Sequence, residues 1–186
     1  RRFDPIQLHL SIEMVDHGDT GPAGRWATRV KAGDRVSIVG PGPVKGLAPE
    51  ADWFLLAGDM SALPAISVNL VKLPATAVGH AVIEIIHPED KLAIEKPDGI
   101  ELTWVVGNQP ASSRTRLEEA VKALSWRAGR VAVWIAGEYA SARALRQYIR
   151  NDRQVPREDM YVSCYWKMGD TDEQMKAAKR ADPEGW

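Results

Sequence analysis

Two short motifs in this 186-residue chain carry the residue types that hold phosphate. The first is Gly58-Asp59-Met60-Ser61, which follows the apolar run Trp53 to Ala57 and leads to a segment with Pro64 near its start. The second is Gly137-Glu138, which follows Val131 to Ala136 and precedes Ser141. Small residues between a strand and a helix aim free backbone N–H groups at whatever lies above the sheet edge. An anion such as a cofactor pyrophosphate is favoured there. Proline in the first helical turn gives up only an N–H that would lack a partner anyway. Gly58 and Gly137 let backbone approach a ligand closely. Asp59 is out of keeping with a phosphate, and its natural roles at such a turn are capping the helix or orienting a ribose or an amide. Two strands each ending in Ala-Gly-acid indicate a nucleotide-handling α/β domain, with Gly58, Asp59, Ser61, Gly137 and Glu138 around one crevice.

Other chemistries lack their residues. No Ser/His/Asp order and no His-x-x-x-His spacing occurs, and His9, His17, His80 and His87 stand at unrelated positions. A hydrolytic triad or a zinc site is therefore not indicated, and no metal ligand is expected. The single cysteine, Cys164, excludes an internal disulfide framework and reads as an inert buried thiol. With 24 basic and 25 acidic side chains the net charge is −1, which gives no bulk attraction for nucleic acid. No run approaches the roughly 20 apolar residues that span a bilayer. No signal peptide opens the chain, so a cytoplasmic protein without membrane insertion is expected. Arg143, Arg146 and Arg150 fall at helical spacing and read as a solvated face.

These residues need elements to position them. Leu8, Leu10, Ile12 and Met14 alternate with polar residues, which predicts a half-buried antiparallel strand over Gln7 to Val15. A short helix is expected from Pro22 to Val30 and a strand from Val36 to Val39. The proline- and glycine-rich stretch from Gly40 to Pro49 then marks a boundary. Beyond it the rhythm predicts strands over 53–57, 80–86, 101–106, 131–136 and 159–166. Helices are predicted over 61–72, 113–124, 140–151 and 172–180, with 87–99 as a loop. Near-continuous apolar runs such as Val82-Ile83-Glu84-Ile85-Ile86 indicate a parallel sheet covered on both faces. The fold class is α/β: part of an antiparallel barrel in residues 1–46, then a five-stranded doubly wound domain in 47–186. Ligands of such a sheet bind at the carboxyl ends of its strands, where the strand order reverses.

The order of motifs resembles the siderophore-interacting protein family. It includes His17-Gly18, Gly21-Pro-Ala-Gly-Arg-Trp-Ala27, Gly33-Asp34, Gly40-Pro41, Ala51-Asp-Trp, Leu56-Ala-Gly-Asp59, Ala62-Leu-Pro-Ala-Ile66, Trp134-Ile-Ala-Gly-Glu138 and Tyr165-Trp-Lys-Met-Gly169. The resemblance runs almost end to end. It implies a ferredoxin-reductase-like plan and a flavoenzyme that passes electrons from NAD(P)H through FAD to a ferric siderophore, releasing Fe(II). The family's Arg-x-Tyr-Thr strand motif is absent, and Arg1-Arg2-Phe3-Asp4-Pro5 resembles the segment that follows it. Only the later part of the flavin domain is therefore expected here, with poor FAD retention.

The resemblance also assigns residues. Gly21, Ala23, Gly24, Arg25 and Trp26 would hold the FAD pyrophosphate, with Gly24 where the family has Ser. Tyr165 and Trp166 would stack near the isoalloxazine or simply pack in their strand. Ser112, Ser113, Arg114 and Arg116 match in position the 2′-phosphate loop of ferredoxin reductases, so NADPH is favoured over NADH as the donor, with ferredoxin as an alternative donor. Lys167, Lys176 and Lys179 are the cations available to an anionic ferric siderophore. A monomer is expected. The competing readings are a reductase of the same fold with another acceptor, or a siderophore- or nucleotide-binding fragment without turnover.

Overall fold

The computed structural model describes residues 2–12, 14, 22–38, 47, 50–107, 113–183 and 185–186, without the side chains of Arg2, Pro22, Ser113, Arg114 and Thr115. The chain divides into two compact units, Arg1–Val44 and Lys45–Trp186.

In the first unit, β1 (Arg2–Asp4) pairs antiparallel with β2 (His9–Ser11), Phe3 opposite Leu10. Asp4 Oδ1 closes the turn by accepting from Ile6 N at 2.9 Å and Gln7 N at 3.0 Å. Among the described residues, the alternation that predicted a half-buried strand over Gln7 to Val15 forms only this short one, with Leu10, Ile12 and Met14 exposed; Glu13 and Val15 lie outside them. A ribbon of two strands has no layer of its own to bury a face against. Helix α1 is shorter than expected, Pro22–Ala27, and residues 36–38 are irregular where a strand was predicted from Val36 to Val39, the last of which lies outside the described residues.

The second unit alternates strand and helix: β3 (Trp53–Gly58), α2 (Leu63–Lys72), β4 (Gly79–Ile85), β5 (Ile100–Val106), α3 (Ser113–Lys122), β6 (Val131–Glu138), α4 (Tyr139–Gln147), β7 (Met160–Trp166) and α5 (Asp172–Ala181). The strands form one parallel sheet in the order β5-β4-β3-β6-β7. Its three inner strands, β4, β3 and β6, are buried along their whole length. Leu56, Ile83 and Trp134 meet Leu63, Ile66 and Leu70 of α2 on one face. Leu55, Val82 and Ile135 meet Leu117 and Val121 of α3 and Leu145 of α4 on the other. Each large side chain buried this way contributes about 1.5–3 kcal/mol. This is the doubly wound α/β sheet that the alternating rhythm predicts.

Local departures have local causes. Residues 87–99 hold one 3₁₀ turn, Pro88–Asp90, started by Asp90 Oδ2 accepting from His87 N. Helix α4 passes into a π turn, Tyr148–Asp152, rather than staying α-helical to 151. That wider turn leaves both Tyr148 and Ile149 buried. The arginine stripe is a solvated face only in part, with Arg150 exposed. Arg146 is 7 % exposed, and it and Arg143 pair with Asp182 at 3.1 and 3.3 Å. Two cations share one carboxylate because the carboxy-terminal segment folds back over α4. Cys164 is buried against Met175, and burial pushes its thiol up from the ordinary value, which keeps it unreactive.

Candidate functional site

The strand order reverses between β3 and β6: the chain leaves β3 for β4 on one side, and β6 is followed by β7 on the other. Gly58 lies opposite Ala136, so the glycines ending β3 and β6 are at the same edge of the sheet and on adjacent strands. Doubly wound sheets bind ligands in this crevice. The packing explains why both positions are glycine. A Cβ on Gly58 would strike the Ala136 carbonyl oxygen and the Ala62 methyl. Gly137 has φ +151°, and a Cβ there would lie 2.7 Å from Asp59 Oδ2.

Asp59 ties the crevice together. Its Oδ1 accepts from Ser61 N at 2.9 Å and from Ser61 Oγ at 2.5 Å. Its Oδ2 accepts from Glu138 N at 2.8 Å and from Trp166 Nε1 at 2.8 Å. The carboxylate thus builds the turn before α2 and joins the ends of three strands, β3, β6 and β7. Glu138 does related work. Its Oε2 accepts from Ala140 N at 2.6 Å and Ser141 N at 3.3 Å, which caps α4, and its Oε1 accepts from Met168 N at 3.2 Å. Asp59, Ser61, Gly58, Gly137, Glu138 and Trp166 are therefore one constellation, as far as the structure brings predicted residues together.

Trp166 reaches it through an irregularity. Gly137 pairs with Cys164 but Glu138 pairs with Trp166, which leaves Tyr165 as the extra residue of a bulge. Both aromatic side chains stay open to solvent, at 38 % and 39 % exposure. Burial, helped by the Tyr161 beside it, raises the Tyr165 phenol to about 12, so it is neutral at ordinary pH.

The other predicted residues are elsewhere or already engaged. Ala23, Gly24, Arg25 and Trp26 are on α1, in the first unit, where Ala23 and Arg25 are exposed. Gly21 and Ser112 lie outside the described residues. Ser113 and Arg114 open α3, with side chains outside the description. Arg116 uses one of its five N–H donors within the protein, Nη1 donating to Val106 O at 2.5 Å at the end of β5. The three lysines also have partners. Lys167 binds Asp170 at 2.6 Å, Lys176 binds Asp172 at 2.5 Å, and Lys179 donates to Ser163 Oγ and Cys164 O at 3.4 and 3.2 Å. Lys176 and Lys179 share a helix and do different things.

One residue was missed. Glu84, next to last in β4, is 8 % exposed, and its Oε1 has no hydrogen-bond partner. Burial above all, then the charge of Asp59, raises its carboxyl to about 7; Arg116 opposes this and Glu118 adds to it. The signal was in the sequence: an acid inside an otherwise apolar strand. Among the described residues, no group of His, Cys, Asp and Glu is placed to hold a metal ion, and no helix is long and apolar enough to cross a membrane.

Comparison with known proteins fits this geometry. Residues 51–169 match the family description "Siderophore-interacting protein", and residues 1–45 match "Siderophore-interacting FAD-binding domain". An uncharacterized protein of Mycobacterium tuberculosis is 37 % identical over 190 residues, covering 97 % of this chain and 67 % of that protein. The ferric vibriobactin reductase ViuB of Vibrio cholerae is 36 % identical over 175 residues, covering 93 % of this chain and 64 % of that protein. Among solved structures, the siderophore-interacting protein SipS from Aeromonas hydrophila superposes with a TM-score of 0.84 at 35 % identity, over 96 % of this chain and 70 % of that one. A siderophore utilization protein from T. fusca gives 0.78 at 34 % identity, over 91 % and 65 %. The chain thus spans about two thirds of the length of these relatives. By its match to both family descriptions and its likeness to these proteins, the chain belongs to the siderophore-interacting protein family.

Proposed function

We propose that this protein is a flavin-dependent reductase that passes electrons from a reduced nicotinamide dinucleotide through FAD to the ferric iron of a siderophore. The observation that carries the reading is the reversal of strand order at β3 and β6, with Gly58 and Gly137 adjacent at that edge. Relatives named ferric vibriobactin reductase and ferric acinetobactin reductase supply the acceptor class.

The residues present are compatible with a dinucleotide: two glycine bends border the crevice, and Glu84, at the same end of the sheet, has an Oε1 without a donor. FAD, when bound, converts a two-electron hydride into single electrons for iron, and the protein supplies orientation and electrostatics. Residues 1–46 would form part of the flavin domain, with Ala23 to Trp26 of α1 near the pyrophosphate, and residues 47–186 the dinucleotide domain. Asp59 holds the Trp166 ring at the crevice mouth, where a flat aromatic surface can face a cofactor ring. Glu138 keeps the N-terminal end of α4 in place beside it. A cytoplasmic monomer suits this role.

A second reading, the same electron path to an acceptor other than a siderophore, draws on the lysines. Each of Lys167, Lys176 and Lys179 already has an internal partner, so an anionic complex would have to compete for them. One experiment addresses both readings. The purified protein is checked for flavin absorbance, and anaerobic oxidation of NADH and NADPH is followed with ferric siderophores, free flavin and a simple ferric chelate, ferrous iron being trapped by a ferrous-specific chelator. Turnover with ferric siderophores supports the first reading, and turnover only with the other acceptors supports the second. A flavin-loaded protein that oxidises neither nucleotide with any acceptor refutes both.

A further inference from the structure

The sequence predicts free N–H groups at the two turns of the crevice, and in the structure the chain's own acids hold them. At the turn before α2, Ser61 N donates to Asp59 Oδ1 at 2.9 Å, Ala62 N and Leu63 N donate to Asp59 O, and Pro64 has no N–H. Ser61 Oγ, the hydroxyl there that could serve a phosphate, also donates to Asp59 Oδ1. At the start of α4, Ala140 N and Ser141 N donate to Glu138 Oε2, and Glu138 N donates to Asp59 Oδ2. Met168 N donates to Glu138 Oε1 and Trp166 Nε1 to Asp59 Oδ2. Both oxygens of each carboxylate therefore accept, as those of an ionised acid do. Neutral Ser, Thr or Asn caps a helix about as well as an acid does. The crevice nevertheless has an acid at both turns, beside the adjacent ends of β3 and β6.

We propose that Asp59 and Glu138 are specificity-determining residues that exclude phosphate from both turns, so that binding of the electron donor is limited by repulsion of its pyrophosphate. The inference deepens the reading above and rests on it. Two effects act together. The N–H donors that a helix start offers to an anion are already used at these turns. A pyrophosphate brought to them would also meet two carboxylates, and like charges at close range repel. The dipole of α4, which would draw an anion to its N-terminal end, is answered by Glu138 instead. What remains open beside the acids is the Trp166 ring, which offers its face to an uncharged ring and no donor to a phosphate, its N–H being bound to Asp59. The same two motifs that read as phosphate seats in the sequence are thus filled from within by the acid that each of them carries.

The test follows the fluorescence of reduced nicotinamide as either of two ligands is titrated into the intact protein. One is NADH, and the other is reduced nicotinamide riboside, which carries no phosphate. Wild type, Glu138→Gln, Glu138→Asp and Asp59→Asn are compared at about 50 and about 300 mM salt. Glu138→Gln keeps an oxygen to cap α4 and removes the charge. It should bind NADH about threefold to tenfold more tightly than the wild type, with the riboside unchanged and the gap narrowing at the higher salt. Glu138→Asp keeps the charge and should bind NADH no more tightly than the wild type. Asp59→Asn repeats the test at the other turn and should also tighten NADH against the riboside. The proposal fails if a neutral variant that still melts cooperatively binds NADH no more tightly than the wild type. It fails equally if the riboside tightens as much as NADH, which would mean a changed crevice shape, or if Glu138→Asp tightens NADH as Glu138→Gln does. Should neither ligand bind the wild type or any variant, the dinucleotide reading itself is refuted, and this inference with it.

Discussion

The indole N–H of Trp166 donates to Asp59 Oδ2 at 2.8 Å, which bonds the last residue of β7 to the turn after β3, across the intervening end of β6. The same oxygen accepts from Glu138 N, so one carboxylate fixes the relative height of three strand ends.

Asp59→Asn can keep only one of its two oxygens as an acceptor, while donors arrive on both sides. One side must then face an N–H group with no acceptor. The expected loss is about 1–3 kcal/mol in urea unfolding, against about 1 kcal/mol for Trp166→Phe, which deletes a single hydrogen bond. A loss no larger for Asp59→Asn than for Trp166→Phe would show that Asp59 does not organise the edge.

The two crevice glycines should fail for different reasons. Gly58→Ala drives a methyl into the Ala136 backbone and the Ala62 side chain, and should cost about 1–3 kcal/mol through displacement of β3 from β6. Gly137→Ala adds an unfavourable φ to a 2.7 Å approach to Asp59, so its cost is of order 1–3 kcal/mol from strain alone, with dinucleotide binding lost as Asp59 shifts. Thermal unfolding and NADH titration of the two variants measure both effects. An undiminished melting temperature for either would contradict the packing described.

Stability should depend on pH through Glu84. Its folded pKa of about 7 lies above the ordinary 4.5, so the folded state binds the extra proton between those values. Glu84 is therefore protonated and at no disadvantage at pH 4.5, and it destabilises progressively as pH rises to 7 and above. Glu84→Gln, a neutral isostere, should match the wild type near pH 4.5 and exceed it by roughly 2–3 kcal/mol at pH 8 without ligand. Denaturant curves at a series of pH values give the difference directly. A constant difference across the series would mean that Glu84 is ionised throughout.

Lys176 and Lys179 can be separated by single substitutions. Lys176 holds an exposed pair with Asp172 on its own helix, so Lys176→Ala should change stability by less than about 0.5 kcal/mol. Lys179 reaches Ser163 and the Cys164 carbonyl on β7, and Lys179→Ala should cost about 1–2 kcal/mol. If a ferric siderophore uses Lys176, its KM rises in Lys176→Ala with the melting temperature unchanged. A rise only in Lys179→Ala, together with a lower melting temperature, points to α5 docking instead.

Element order was legible in the sequence because it rests on local patterns. The apolar runs Trp53 to Ala57 and Val131 to Ala136, with glycine turns and helix-starting residues after them, predict strand, turn and helix without knowledge of their neighbours. The same local logic placed Gly58, Asp59, Ser61, Gly137 and Glu138 at strand ends. It failed for Leu8 to Met14, where alternation signals a buried face only if another layer covers it. Tertiary structure decided what no local pattern contains: that β3 and β6 are neighbours, that a bulge at Tyr165 brings Trp166 level with Glu138, and that Asp59 spends its oxygens on protein donors. It also decided that Arg116 Nη1 turns to a carbonyl while Glu84 Oε1 is left without a donor. Residue type sets what a side chain can bind. Whether it is already satisfied depends on groups far away in the chain, and only folding brings those within a hydrogen bond's reach.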